Sequence, residues 1–174
     1  MPPMPIAVNC SAVELRDRSF VAGVREILTA TGLEPSNLIL ELTETVLMQD
    51  MESTARVLQS LKEIGVHLAL DDFGTGFSSL SHLQRFPIDV LKIDQSFIRN
   101  LTADSNDASI VGAVIGMADS LRMRVVAEGV ETEQQLIVLE EQCCPEAQGY
   151  YFSRPLIAED LTALLWRAQW RQTA

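Results

Sequence analysis

Leu68-Ala69-Leu70-Asp71-Asp72-Phe73-Gly74-Thr75-Gly76 is a short apolar run that stops abruptly at two carboxylates and a glycine-rich loop. Three apolar residues without polar alternation suit a strand buried on both faces, as in a parallel sheet. The same form recurs on either side. Ile6-Ala7-Val8 stops at Asn9, Leu38-Ile39-Leu40 at Glu41, Val90-Leu91 at Lys92-Ile93-Asp94, and Val125-Val126-Ala127 at Glu128. A sixth run, Ala147-Gln148-Gly149-Tyr150-Tyr151-Phe152, carries Gln148 near its start.

Apolar residues at helical spacing predict helices over 12–31, 51–64, 107–121, 132–142 and 158–172. Gly32 and Gly65 stop the first two, and Thr132-Glu133-Gln134-Gln135 opens the fourth with a capping-box pattern. The segment between Asp72 and Val90 reads as loop plus a short helix. Asn9, Glu41, Asp71, Lys92, Glu128 and Gln148 fall 32, 30, 21, 36 and 20 residues apart, the lengths of successive βα units. Alternating strands and helices predict an α/β fold around a parallel sheet. Polar residues at the C-terminal strand ends point to the active rim of a (β/α)8 barrel, which normally has eight strands. Six strands in 174 residues leave an incomplete barrel or an open doubly wound sheet.

Apolar residues make up 47% and charged residues 21% of the chain, the composition of one ordinary globular domain. No apolar run approaches the roughly 20 residues of a membrane span, and Met1-Pro2-Pro3-Met4-Pro5 shows neither the positive n-region nor the long apolar h-region of a secretory leader, so none is expected. Cys10, Cys143 and Cys144 have no CxxC spacing and read as reduced thiols, so a cytoplasmic location is expected. The net charge of −11 excludes a general DNA or RNA binder. It permits a phosphorylated ligand if divalent cations stand between the two.

Seven acids fall at the strand ends: Glu41, Glu44, Asp71, Asp72, Asp94, Glu128 and Glu131. Without counterions so many carboxylates would repel, and hard divalent cations with oxygen ligands would relieve them. The Asn9 amide oxygen fits the same set. Asp71 and Asp72, adjacent on a strand end, are expected on different sides, one bridging two ions. Lys92 needs a partner if buried, and Asp94, two residues on, shares its side of the strand. The loop Asp72–Ser79 is either a phosphate cradle or a flexible turn. His67 and His82 read as structural, and Trp166 and Trp170 as a packing stripe.

Six motifs occur in order: Val8-Asn9-Cys10-Ser11-Ala12, Glu41-Leu42-Thr43-Glu44, Asp71-Asp72-Phe73-Gly74-Thr75-Gly76, Leu91-Lys92-Ile93-Asp94, Ala127-Glu128-Gly129-Val130-Glu131-Thr132 and Gln148-Gly149-Tyr150-Tyr151. Together they resemble the EAL domain of bacterial cyclic di-GMP phosphodiesterases, over essentially the whole chain from Ile6. The resemblance implies hydrolysis of cyclic di-GMP to pGpG at a two-metal site holding Mg2+ or Mn2+. It implies that Asn9, Glu41 and Asp71 hold the first metal, and that Asp71 and Asp72 share the second with Glu128 close by. Lys92 would orient the attacking water, and Glu128 would act as general base or hold a metal-bound water. Glu44 would brace the glycine-rich loop, Asp94 would support Lys92, and Glu131 and Gln148 would complete the surroundings.

Two departures qualify the resemblance. Cys10 stands where the family commonly has leucine. No Glu-Ala-Leu triplet occurs, and eight residues precede Asn9. The expectation is therefore a single partial domain over 1–174, an incomplete (β/α)8 TIM-type barrel of about six strands that lacks the first two. With them would go a metal-binding glutamate and an arginine, leaving this chain weakly active or inactive. Open sheet edges favour a homodimer or strand-exchanged oligomer, and a longer parent could carry a sensory or GGDEF domain upstream. Two other readings stay open: a non-catalytic module binding cyclic di-GMP or a protein, and a metal-dependent lyase or aldolase using Lys92 as a Schiff-base amine.

Overall fold

Strand residues alternate between two faces, and here that alternation separates the packed core from the chemistry. The structure, a computed structural model, describes residues 4–74 and 83–172, the last six by backbone alone. Six strands, β1 (Ile6–Asn9), β2 (Leu38–Thr43), β3 (His67–Phe73), β4 (Val90–Ile93), β5 (Arg124–Ala127) and β6 (Glu146–Ala147), form one parallel sheet in the order β1-β2-β3-β4-β5-β6. The sheet curves as a half-barrel, the incomplete barrel expected. On its outer face Leu40, Leu42, Leu68, Leu70, Leu91, Ile93, Val125 and Ala127 are buried. They share one core with Val24, Leu28, Leu58, Leu61, Val111 and Leu139 of the surrounding helices.

The concave face carries the alternate set, Ala7, Ile39, Ala69, Val90 and Val126, around a cavity of about 170 Å³. The register sets Asn9 opposite Glu41, Thr43 opposite Asp71, and Ala127 opposite Ala147. The polar strand ends therefore reach one rim, as in complete barrels of this type.

The described helices are α1 (Ala12–Arg16), α2 (Phe20–Thr31), α3 (Glu44–Met48), α4 (Met51–Ile64), α5 (Gln95–Ile98), α6 (Asn106–Ser120), α7 (Glu133–Glu141) and α8 (Ala158–Gln172). The helix predicted over 12–31 is two. Asp17 Oδ1 accepts bonds from both the Ser19 amide and its hydroxyl, each at 2.8 Å, and this local turn competes with the helix ladder. The sixth strand is shorter than its apolar run, ending at Ala147. Gly149 then crosses the segment after β5 so closely that a Cβ would lie 2.2 Å from Val130 O, and Phe152 N bonds back to Gly149 O. Tyr150, Tyr151 and Phe152 are exposed turn residues. Most of the glycine-rich loop and His82 lie outside the described residues, as does the Trp170 side chain; Trp166 is exposed. No described helix is long and apolar enough to cross a membrane.

Candidate active site

Lys92 is the centre of the rim. Its position in β4 points it to the concave face, where it is only 5% exposed. Its Nζ lies 2.7 Å from Glu128 Oε1, 2.8 Å from Glu41 Oε1 and 3.0 Å from Asp71 Oδ1. Burial alone would depress the ammonium pKa, but the contacts with Glu128, Glu41 and Asp71 outweigh it and hold the group above the ordinary lysine range. The expected pairing with Asp94 is not what forms, because three carboxylates from β2, β3 and the end of β5 converge on the ammonium instead. Asp94 Oδ1 accepts the Ser96 amide at 2.9 Å and caps α5. Burial would raise the Asp94 carboxyl, yet bonds from Ser96 and Asp72 keep it below its ordinary value.

Asp72 corrects a second expectation. It has φ 56, and the β3–β4 register shifts between Leu70 and Phe73. Asp is among the few residues that enter this left-handed region readily. The kink swings Asp72 back toward the side of Asp71, so one oxygen each of Asp71, Asp72 and Glu128 lie within 4.8 Å of one another. Burial raises the Asp72 carboxyl above its ordinary value, reinforced by Asp71 and Asp94. Glu128 is also raised, by burial first and by Asp71 and Glu41, against the pull of Lys92. Gln148 Nε2 donates a short hydrogen bond to Glu128 Oε1.

The remaining predicted residues are placed less centrally. Asn9 is exposed on β1 beside Glu41. Glu44 is buried at the start of α3; the loop it was expected to brace lies mostly outside the described residues. Glu131, Gln148, Tyr150 and Arg154 line a cleft of about 580 Å³ beside Glu128, with the Arg154 guanidinium 4.8 Å above the Tyr150 ring. The Tyr150–Arg154 pair was not read from sequence, since only three-dimensional packing brings it to Glu128.

The trio suits a hard divalent cation. All its donors are carboxylate oxygens, and Asp71 Oδ1 is buried without a hydrogen bond. Lys92 Nζ is ion-paired with that oxygen at 3.0 Å, so a cation at the trio would share it with the ammonium.

The EAL domain family profile matches residues 1–155. This chain belongs to the EAL domain family. Cyclic di-GMP phosphodiesterase NbdA of Pseudomonas aeruginosa is 50% identical over 151 residues, 87% of this EAL chain and 19% of that protein. A solved c-di-GMP complex of the PaMucR phosphodiesterase superposes with a TM-score of 0.85 at 45% identity, covering 90% of this chain and 64% of that one. The manganese/cy-diGMP complex of Klebsiella pneumoniae BlrP1 gives a TM-score of 0.82 at 34% identity, over 88% of this chain and 40% of that one. The chain spans about a fifth of the length of the curated relatives it matches.

Proposed function

We propose that this EAL chain forms the metal-binding and phosphate-binding rim of a phosphodiesterase acting on cyclic di-GMP. The observation that carries the reading is the convergence of Asp71, Asp72 and Glu128 at the strand ends, with the Lys92 ammonium paired to Asp71 and Glu128. Likeness to NbdA, and to structures holding cyclic di-GMP and manganese, supports the substrate and the cation. Mg2+ or Mn2+ is the proposed ion, held by Asp71 and Asp72 with Glu128, and by Glu41 with Asn9 on the side of β1. A bound divalent cation supplies charge neutralisation at the phosphodiester and lowers the pKa of water at the site.

The protein groups supply the rest. Lys92 places a fixed positive charge where the attacked phosphate accumulates negative charge. Glu128, raised by burial, is a better base than an ordinary glutamate and accepts the proton of the attacking water. Gln148 orients it. Water's hydroxyl bonds to phosphorus, one ester P–O bond breaks, and the released 3′ oxygen takes a proton, leaving linear pGpG. The three free cysteines fit a reducing, cytoplasmic setting.

This chain alone is proposed to turn over slowly, because Asn9 stands exposed on an edge strand rather than enclosed. The test is chromatography of cyclic di-GMP incubated with the purified chain and Mn2+. Slow formation of pGpG, lost in Glu128→Gln, is the expected result. Absence of both Mn2+ binding and cyclic di-GMP binding by titration overturns the reading. Binding of the nucleotide without hydrolysis favours the non-catalytic module.

A further inference from the structure

Gln135 does more than its local motif requires. In the capping box of α7 its Oε1 accepts from Thr132 N at 3.0 Å, and also from Glu131 N at 2.8 Å. A glutamate would serve that role equally well. The other end of the amide is different. Its Nε2 donates to Ile98 O at 2.9 Å and Arg99 O at 3.2 Å, at the end of α5 in a separate part of the chain. The side chain is buried, with both lone pairs and both protons of the amide engaged.

What Gln135 grips is a spacer. Helix α5 starts at the Asp94 cap, immediately after Lys92-Ile93. The Phe97 ring occupies the place of a Gly74 side chain, where a Cβ would approach it to 2.8 Å. Gln95 does the same to Gly129, where a Cβ would lie 2.6 Å from Gln95 Cβ. Helix α5 therefore stands between Asp72-Phe73-Gly74 on one side and Glu128-Gly129 on the other. Gln135 ties the far end of that spacer to the chain that continues from Glu128 to Thr132.

We infer that Gln135 is a positioning residue: through α5 it fixes the separation of the Asp71–Asp72 and Glu128 carboxylates. Two variants separate this from a helix cap. Q135E keeps the acceptor for Thr132 N but sets a carboxylate against the two carbonyls of α5. T132A removes the cap hydroxyl and leaves the bridge to α5 intact. The first measurement is amide hydrogen exchange at Glu128 and Val130, whose N–H groups bond Ile93 O and Gln148 O. Exchange there is expected to quicken about tenfold in Q135E, with Leu70 and Leu91 unchanged, and to stay as in the parent in T132A. The second is Mn2+ affinity, read from the free-ion EPR signal, which is expected to fall about tenfold in Q135E alone, the usual scale for a supporting group around a metal. If Q135E does not fold, F97L thins the α5 contact with Gly74 without touching the cap, and the same loss of Mn2+ affinity and the same faster exchange are expected. Unchanged exchange in Q135E or F97L, or equal acceleration in T132A, overturns the inference. The Mn2+ measurement rests on the proposed function. If no form of the chain binds Mn2+ while the exchange contrast appears, the metal reading fails and the positioning role stands.

Discussion

Lys92 carries the charge balance of the rim. One ammonium faces Glu41, Asp71 and Glu128 within 3.0 Å, and removing one partner of a buried ionic cluster typically costs about 3–5 kcal/mol. Lys92→Met is expected to lower the stability of the metal-free chain by that order in urea unfolding. Added Mn2+ should restore part of it, since the cation replaces the lost charge. Glu128 gives a pH test with a definite sign. Its folded pKa is raised, so the folded state binds the proton more tightly than the unfolded chain. The stability that proton contributes is full below the ordinary glutamate range and is lost as pH rises through the raised value. Measured without metal, the melting temperature of the parent relative to Glu128→Gln should therefore climb as pH falls from neutral toward the ordinary range. A difference that stays flat across that window would show that Glu128 has no raised pKa.

At the scale of elements, the first five strands and the helices over 51–64, 107–121, 132–142 and 158–172 were legible because apolar runs and helical spacing report burial directly, whereas the segment 12–31 breaks at Asp17 and the run 147–152 leaves its strand after Ala147. Leu68-Ala69-Leu70 and Leu91 are buried as their composition requires. What sequence did not disclose depends on contacts between distant segments or on backbone kinks. The Asp72 kink follows from φ 56 and a register shift that no periodicity encodes. The Lys92 partners come from three other strands, whereas sequence offered only its neighbour Asp94. The bridge from Gln135 to α5 spans 37 residues and hides behind a capping box that was itself correctly read. The crossing at Gly149 belongs to this scale too. A methyl there would meet Val130 O at 2.2 Å and Val130 N at 2.3 Å, both backbone atoms that cannot rotate away. Gly149→Ala is expected to cost about 2–4 kcal/mol by forcing the strands apart. It should weaken Mn2+ binding as well, because Gln148 is carried off Glu128. Thermal unfolding and metal titration of the same variant check both effects.

Across the whole molecule, the sheet runs from β1 to β6 without closing on itself among the described residues. Its first edge is apolar: Ile6 and Val8 in β1 are 48% and 46% exposed, and the strand's outer backbone groups pair with no described strand. Such an edge is a template for another chain. A second copy can satisfy it by antiparallel pairing of β1 with β1 across a twofold axis, where the same four residues serve both partners. The net charge of −11 opposes this approach, and salt screens that repulsion within about 10 Å at 0.1 M. Self-association should therefore strengthen as salt is raised, the opposite of an ion-pair interface. Sedimentation velocity of the chain in 0.05 M and 0.5 M NaCl is expected to show the dimer fraction rising with salt. Val8→Lys places a charge on the open edge away from Lys92 and should return the chain to monomer while Mn2+ affinity stays unchanged. A monomer at every salt concentration, or a dimer indifferent to Val8→Lys, would place any contact between copies somewhere other than β1.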